Sequence, residues 1–452
     1  MLRTTLNLLF SIFVLTASVQ ALAQSKPPEL SSANDVEKIL SQIQANKAID
    51  ADSAFKILSH WNKFPEIKKT GIDYNYFYED AVYGRVPLHI YIPATYKNSV
   101  KNPAVMMLHG AVGMSKFSDI DSLANTEEDL LFDALKAQNY IVIRPIGDKK
   151  KQFSWVTSKF THGQEYYINL TFKVLNDILT ALKKVLNIDD NQVYTFGHSD
   201  GSDGAVGLGL YKPGAFAGVV GYNSMLTNLF AKDYYIRNIQ NRPTYLVHSD
   251  LDDLRPMLMT HAIVDSLLKT DRQLLYKEYI GYEHFDKHLN KDVPYACLFM
   301  SGTTRNPFSN NIYWETYQSG PYAACDWLSL STIDTAATPA AWHKPLNIPS
   351  YDKRTKEWHS DRSYYSYLFK SAATKALYSN NIFSLQTSGV KEIELLISPV
   401  MVNSESPVIV NINGKQAFSG KIKADKTFML DGFRKTMDRD AIWVNSIKVK
   451  VD

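Results

Sequence analysis

The sequence predicts an α/β protein, a mostly parallel sheet flanked by helices and followed by a β-rich, sandwich-like C-terminal domain. Three observations predict it. Between about residues 100 and 290, short continuous apolar runs such as Ala104 to Leu108 alternate with amphipathic helical stretches; parallel strands buried on both faces need such crossovers. Beyond residue 300 the texture changes to short half-buried strands separated by turn residues. A length of 452 residues also exceeds what one core usually serves.

Taken in order, residues 1–23 read as a secretory leader. Arg3 supplies the positive end, Leu6 to Leu15 is a short, mostly apolar stretch, and Ala21-Leu22-Ala23 offers the small residues of a cleavage site. The stretch is too short to span a bilayer comfortably, so no stable membrane span is expected. The mature chain is expected to begin at Gln24 and to be exported, to the periplasm or outside the cell. Residues 24–70 read as a helical lead-in, with Val36, Ile39, Leu40 and Ile43 on one helical face and Ala54, Phe55, Ile57 and Leu58 on another.

Residues 71–300 carry the α/β pattern. A hairpin is expected from Ile72 to Tyr91, turning near Tyr83-Gly84. Strands are expected at Ala104 to Leu108, Tyr140 to Ile146, Val193 to Phe196, Val219 to Tyr222, Thr244 to Val247 and Leu274 to Tyr279. Helices are expected at Glu127 to Gln138 and Tyr167 to Leu186. Residues 301–452 form the β-rich part, with strands at Ile312 to Tyr317, Trp327 to Leu330, Ile382 to Thr387, Ile393 to Ile397, Val408 to Asn411, Ala417 to Ile422 and Ile442 to Val451. Asn413-Gly414 marks a hairpin turn. The stretch Ser350 to Ser379, rich in Tyr, Lys and Ser, reads as helix and loop.

Composition narrows the function classes. An apolar content of 45% with 21% charged residues is that of a globular chain. A formal charge of +3 is too small for this length to point to nucleic acid or an anionic membrane. The two cysteines, Cys297 and Cys325, are read as a disulfide in an oxidising compartment, with two separate buried thiols as the alternative.

The sharpest chemical signal is Gly197-His198-Ser199-Asp200-Gly201, between a predicted strand and a small-residue run that can open a helix. A serine at such a turn is held clear of the sheet, and the flanking glycines leave room for close packing. A serine needs a base, and the base an acid to orient it. Strand Thr244 to Val247 runs into His248-Ser249-Asp250-Leu251-Asp252-Asp253, and strand Leu274 to Tyr279 into Gly281-Tyr282-Glu283-His284. Both groups emerge at the strand ends where ligands bind in open α/β sheets. Upstream, His109-Gly110-Ala111-Val112 can supply one backbone oxyanion donor, from Ala111 or Val112, with the N–H of Asp200 as the other.

Residues 100 to 290 resemble secreted esterases of the α/β-hydrolase superfamily related to polyhydroxybutyrate depolymerases and feruloyl esterases. The matching pieces are His109-Gly110, Ile143-Arg144-Pro145 with Trp155 beyond it, the Ser199 elbow, the acidic loop at Asp252 with Pro256 after it, and His284. The resemblance implies an ester hydrolase with Ser199 as nucleophile, Asp252 as acid and His284 as base, acting on a small-molecule or polymer-borne ester without metal or other cofactor. Asp250 and Asp253 rival Asp252, and His288 rivals His284. His109 reads as structural. An Asp directly after the nucleophile departs from the usual apolar or amide residue and, with Asp203, places acid beside the oxyanion donors.

Other readings remain. A metal could draw together His248, Asp250, Asp252 and Asp253, but the strand-end position already accounts for one aspartate. Trp358, Tyr364, Tyr365 and Tyr367 could stack on sugars, although core packing is the commoner use. The rival functions are a serine peptidase of the prolyl-oligopeptidase kind and a binding protein on a hydrolase scaffold. Oligomeric state is not legible.

Overall fold

The structure, a computed structural model, describes residues 27–121, 127–155, 170–226, 235–269, 273–320, 323–344, 350–352, 354–359 and 371–451. The expected leader, the first residues of the helix expected from Tyr167, and Tyr364, Tyr365 and Tyr367 lie outside them. Among the described residues, no helix is long and apolar enough to cross a membrane.

Helices α1 (Val36–Ala45) and α2 (Ala51–Ser59) lead in. The large sheet is built from β1 (Ile72–Asp80), β2 (Gly84–Ile92), β3 (Asn102–Leu108), β4 (Ile141–Pro145), β5 (Ile188–His198), β6 (Gly218–Tyr222), β7 (Thr244–Ser249) and β8 (Leu274–Tyr279). Its order is β1-β2-β4-β3-β5-β6-β7-β8. The β1–β2 and β2–β4 pairs are antiparallel and every later pair is parallel. This is the α/β-hydrolase fold.

Helices α3 (Glu127–Lys136), α4 (Leu170–Lys183), α5 (Asp200–Tyr211) and α6 (Met257–Leu268) lie in crossovers between strands of this sheet, and α7 (His288–Ser301) follows its last strand. Strand β3 shows why its residues are continuously apolar. Ala104, Met106 and Leu108 join the core beneath α4 and α5, whereas Val105 and Met107 join the opposite core with Leu131 and Leu135 of α3 and Leu289 and Val293 of α7. Strands buried on both faces leave no polar side to read.

The C-terminal part holds β9 (Asn311–Thr316), β10 (Ala324–Cys325), β11 (Leu328–Ile333), β12 (Ser350–Asp352), β13 (Glu357–His359), β14 (Ala372–Ser379), β15 (Ile382–Ser388), β16 (Val390–Ile397), β17 (Val408–Ile412), β18 (Lys415–Gly420), α8 (Lys426–Thr436) and β19 (Asn445–Lys450). Sheets β10-β11-β16-β19 and β18-β17-β15-β14-β9 enclose one core that includes Trp314, Trp327, Phe383, Ile393 and Ile447. Asn413 and Gly414, with φ of 52° and 82°, turn β17 into β18, the two consecutive left-handed residues that this tight hairpin requires.

Two sequence expectations are corrected here, and one helix is added. The Ser350 to Ser379 stretch is not helix and loop where described: β12 and β13 pair within it, and β14 lies between β9 and β15. Its alanines, Ala372, Ala373 and Ala376, are buried, and alanine carries little strand signal. Helix α8 was not anticipated; Met429, Leu430 and Phe433 pack against Val36, Leu40, Ala54 and Leu58 of the lead-in. Cys297 and Cys325 are free thiols, both buried, in the α7-side core and the sandwich core respectively; burial pushes the Cys297 thiol up to about 11.

Buried ion pairs fasten the two parts together. Asp190, which also takes Lys183 Nζ at 2.8 Å, takes Arg439 Nε at 2.9 Å, Arg242 holds Asp326, and Arg305, itself paired with Asp438, donates from Nε to Asn191 Oδ1 at 3.1 Å. At the same seam Glu315 accepts from Arg237 Nε at 2.9 Å and from the Tyr313 hydroxyl at 2.9 Å. His343 joins Glu315 Oε1 through Nε2 at 3.0 Å and Ser388 Oγ through Nδ1 at 2.9 Å.

Candidate active site

Ser199 sits between β5 and α5 with φ 58° and ψ −125°. A non-glycine residue here costs on the order of 1–3 kcal/mol and persists only when its surroundings over-determine it. They do: its N–H donates to Tyr222 O at 3.0 Å, and its carbonyl accepts from the N–H groups of Ser202 and Asp203. The glycines are demanded by space. A Cβ on Gly197 would lie 2.1 Å from Gly201 O, and one on Gly201 would lie 1.8 Å from Leu108 O.

Three strand ends meet at this turn. Ser199 Oγ lies 2.8 Å from His284 Nε2, and His284 Nδ1 lies 2.6 Å from Asp252 Oδ2. All three residues are buried. Asp252 Oδ1 accepts the Arg255 N–H at 2.7 Å. Burial works against the charge on Asp252, but the hydrogen bond and charge of His284 and the Arg255 N–H outweigh it, holding the carboxyl below its ordinary range. The His284 carbonyl is pinned by His198 Nε2 and Asn223 Nδ2, each at 2.9 Å. Asn223 Oδ1 accepts the Ser249 N–H at 2.9 Å, so one amide joins the ends of β6 and β7 to the histidine loop.

The rival residues go elsewhere. Asp250 Oδ1 accepts the Gly281 N–H at 2.7 Å, which ties the acid loop to the histidine loop. Asp253 is exposed. His248 Nε2 donates to Arg255 O at 2.6 Å, and burial holds its imidazole below its ordinary value. Asp250, Asp252 and His248 thus have different hydrogen-bond partners. His288 is buried against the rings of Tyr279 and Tyr282, and burial, with His198 second, pushes it down to about 4.

The turn after β3 is braced from below. His109 Nε2 accepts the Gly147 N–H at 3.1 Å, which places its proton on Nδ1, 2.7 Å from Gly110 O. Trp155 Nε1 donates to His109 O at 2.9 Å. Ala111 takes a left-handed φ of 47°. The N–H of Val112, one of the two alternatives expected for the upstream oxyanion donor, donates to Asp200 Oδ2 at 3.1 Å.

Arg255 is the site residue the sequence reading missed. Its Nη2 meets Asp200 Oδ1 at 2.8 Å, and its Nη1 binds Asp203. Asp203 also accepts the Ser224 hydroxyl at 2.8 Å and the Met225 N–H at 2.7 Å; burial nevertheless pushes its carboxyl up. Two acids beside a serine elbow are the available signal, because buried carboxylates need a cation.

No family model matches the chain, and no curated protein matches it in sequence. Among solved structures it is similar to a thermostable esterase, at 19% identity and TM-score 0.44 over 52% of this chain and 63% of that one, which is under two thirds of that protein's length. It is similar to an S-formylglutathione hydrolase from Agrobacterium tumefaciens at 12% identity and TM-score 0.40, over 52% of this chain and 97% of that one. A fluorophosphonate-binding serine hydrolase F of Staphylococcus aureus gives 14% identity and TM-score 0.39, over 51% and 99% of the two chains.

Proposed function

We propose that this protein is an exported serine hydrolase that cleaves esters. The observation that carries the reading is the hydrogen-bonded series from Asp252 through His284 to Ser199 at a left-handed turn opening α5. Ser199 attacks the acyl carbonyl while His284 Nε2 takes its proton, and Asp252, ionised at neutral pH, stabilises the imidazolium. The oxyanion is received by the N–H groups of Asp200 and Ala111, each typically worth about 3 kcal/mol of barrier; the N-terminus of α5 favours the same charge. His284 then protonates the departing alcohol, and water releases the acyl group by the reverse sequence. Esters are preferred because a leaving alcohol needs less protonation than a leaving amine. Export rests on the leader sequence.

The test is intact mass of the mature protein after fluorophosphonate treatment, beside Ser199→Ala. One adduct on the wild type and none on the variant supports an activated Ser199, and paired ester and amide substrates then separate esterase from peptidase. No adduct on folded wild type would sink the mechanism and favour the binding-protein reading.

A further inference from the structure

Asp200 is placed where a carboxylate should do harm. It follows the nucleophile directly, its N–H is a proposed oxyanion donor, and its side chain is a quarter exposed, at 25%. A bare negative charge there opposes the negative charge that develops on the substrate oxygen. The structure shows the charge engaged on both sides. Oδ2 accepts the Val112 N–H at 3.1 Å, and Oδ1 meets Arg255 Nη2 at 2.8 Å. Arg255 itself is fixed: its side chain is 7% exposed, Asp203 takes its other nitrogen, its N–H holds Asp252 and its carbonyl holds His248.

We propose that Asp200 and Arg255 form a charge-neutral clamp that sets the oxyanion pocket, both acting as positioning residues through their side chains. The inference rests on the serine hydrolase reading. The Asp200 carboxylate pulls the Val112 N–H toward α5, which turns the left-handed Ala111 above Ser199. The Arg255 guanidinium cancels the charge that this pull requires. Because the backbone of Arg255 also anchors Asp252, one residue couples the oxyanion turn, the elbow and the acid loop. The departure from an apolar or amide residue after the nucleophile is thereby compensated within the fold.

The test uses the mature chain and p-nitrophenyl acetate, with fluorophosphonate labelling in parallel. Arg255→Gln is expected to lower kcat about 100-fold with KM little changed, the size of losing one oxyanion donor. Asp200→Asn in that background is expected to restore tenfold or more, because it removes the uncancelled charge and keeps an acceptor for Val112. Equal impairment of single and double variants would overturn the clamp, as would a fully active Arg255→Gln. Should Arg255→Gln misfold through the stranded Asp203, Asp200→Asn against Asp200→Leu decides alone. The amide is expected to cost under about tenfold and the acceptor-free side chain about 100-fold, and equal rates would overturn the clamp. A wild type that neither labels nor hydrolyses any ester removes the serine hydrolase reading and the clamp with it; a wild type that labels while the variants disobey removes the clamp alone.

Discussion

At the sheet edge, Ser199 Oγ, His284 and Asp252 form one hydrogen-bonded series; at the seam with the β-sandwich, Ser388 Oγ, His343 and Glu315 form another of similar length. Both are buried, and in both a histidine bridges a hydroxyl and a carboxylate through its two ring nitrogens. The difference lies in what surrounds them. Ser199 occupies a left-handed turn at a helix N-terminus, whose dipole favours negative charge. Ser388 ends an extended strand, and its Oγ already accepts the Ala340 N–H at 3.0 Å. Asp252 serves His284 and one backbone N–H, whereas Glu315 is shared among Arg237, Tyr313, Ser371 and His343. A Ser-His-acid series is therefore a tie unless the backbone presents the serine and donors await the oxygen of the substrate.

The contrast breaks if the wrong series carries the chemistry, and four variants test it in descending order of effect. Ser199→Ala is expected to lower kcat for ester hydrolysis on the order of a million-fold, read by steady-state kinetics. Asp252→Asn is expected to cost about 10,000-fold in kcat by leaving His284 in the wrong tautomer, with the fold intact by circular dichroism. Glu315→Gln is expected to cost about 3 kcal/mol of stability by stranding Arg237, read by denaturant unfolding. Ser388→Ala is expected to cost about 1 kcal/mol and to leave kcat unchanged; loss of hydrolysis in this variant would erase the distinction.

The seam adds a pH signature. Burial raises Glu315, but His343, Arg237 and Ser371 outweigh it and hold the carboxyl below its ordinary value of 4.5. Its contribution is thus complete above that value and is lost as pH falls through the lower folded value. Glu315→Gln is expected to flatten the acid limb of Tm against pH relative to wild type.

Much of the site was legible because α/β sheets deliver chemistry at strand ends, and Ser199, Asp252 and His284 each follow a readable strand. The Val112–Asp200 and Arg255–Asp200 contacts were not legible, since they join loops 88 and 55 residues apart through side-chain directions that no periodicity encodes. Strand β14 was hidden by its alanines. Helix α8 had a local signal, Asp425 accepting from the N–H groups of Thr427 and Phe428, ahead of apolar residues at Met429, Leu430 and Phe433. What no local signal carries is that its partner is the lead-in.

That shared core sets an order of events in synthesis. Gln44 of α1 donates to Thr427 of α8 across 383 residues of chain. At typical ribosomal rates, about 20 to 80 s separate the emergence of the two. Leu40 and Leu58 must wait through that interval without the surface that covers them. The core shared by α1, α2 and α8 can close only once α8 has been made, so a nascent chain stalled before α8 presents a greasy face for chaperones or proteases to find.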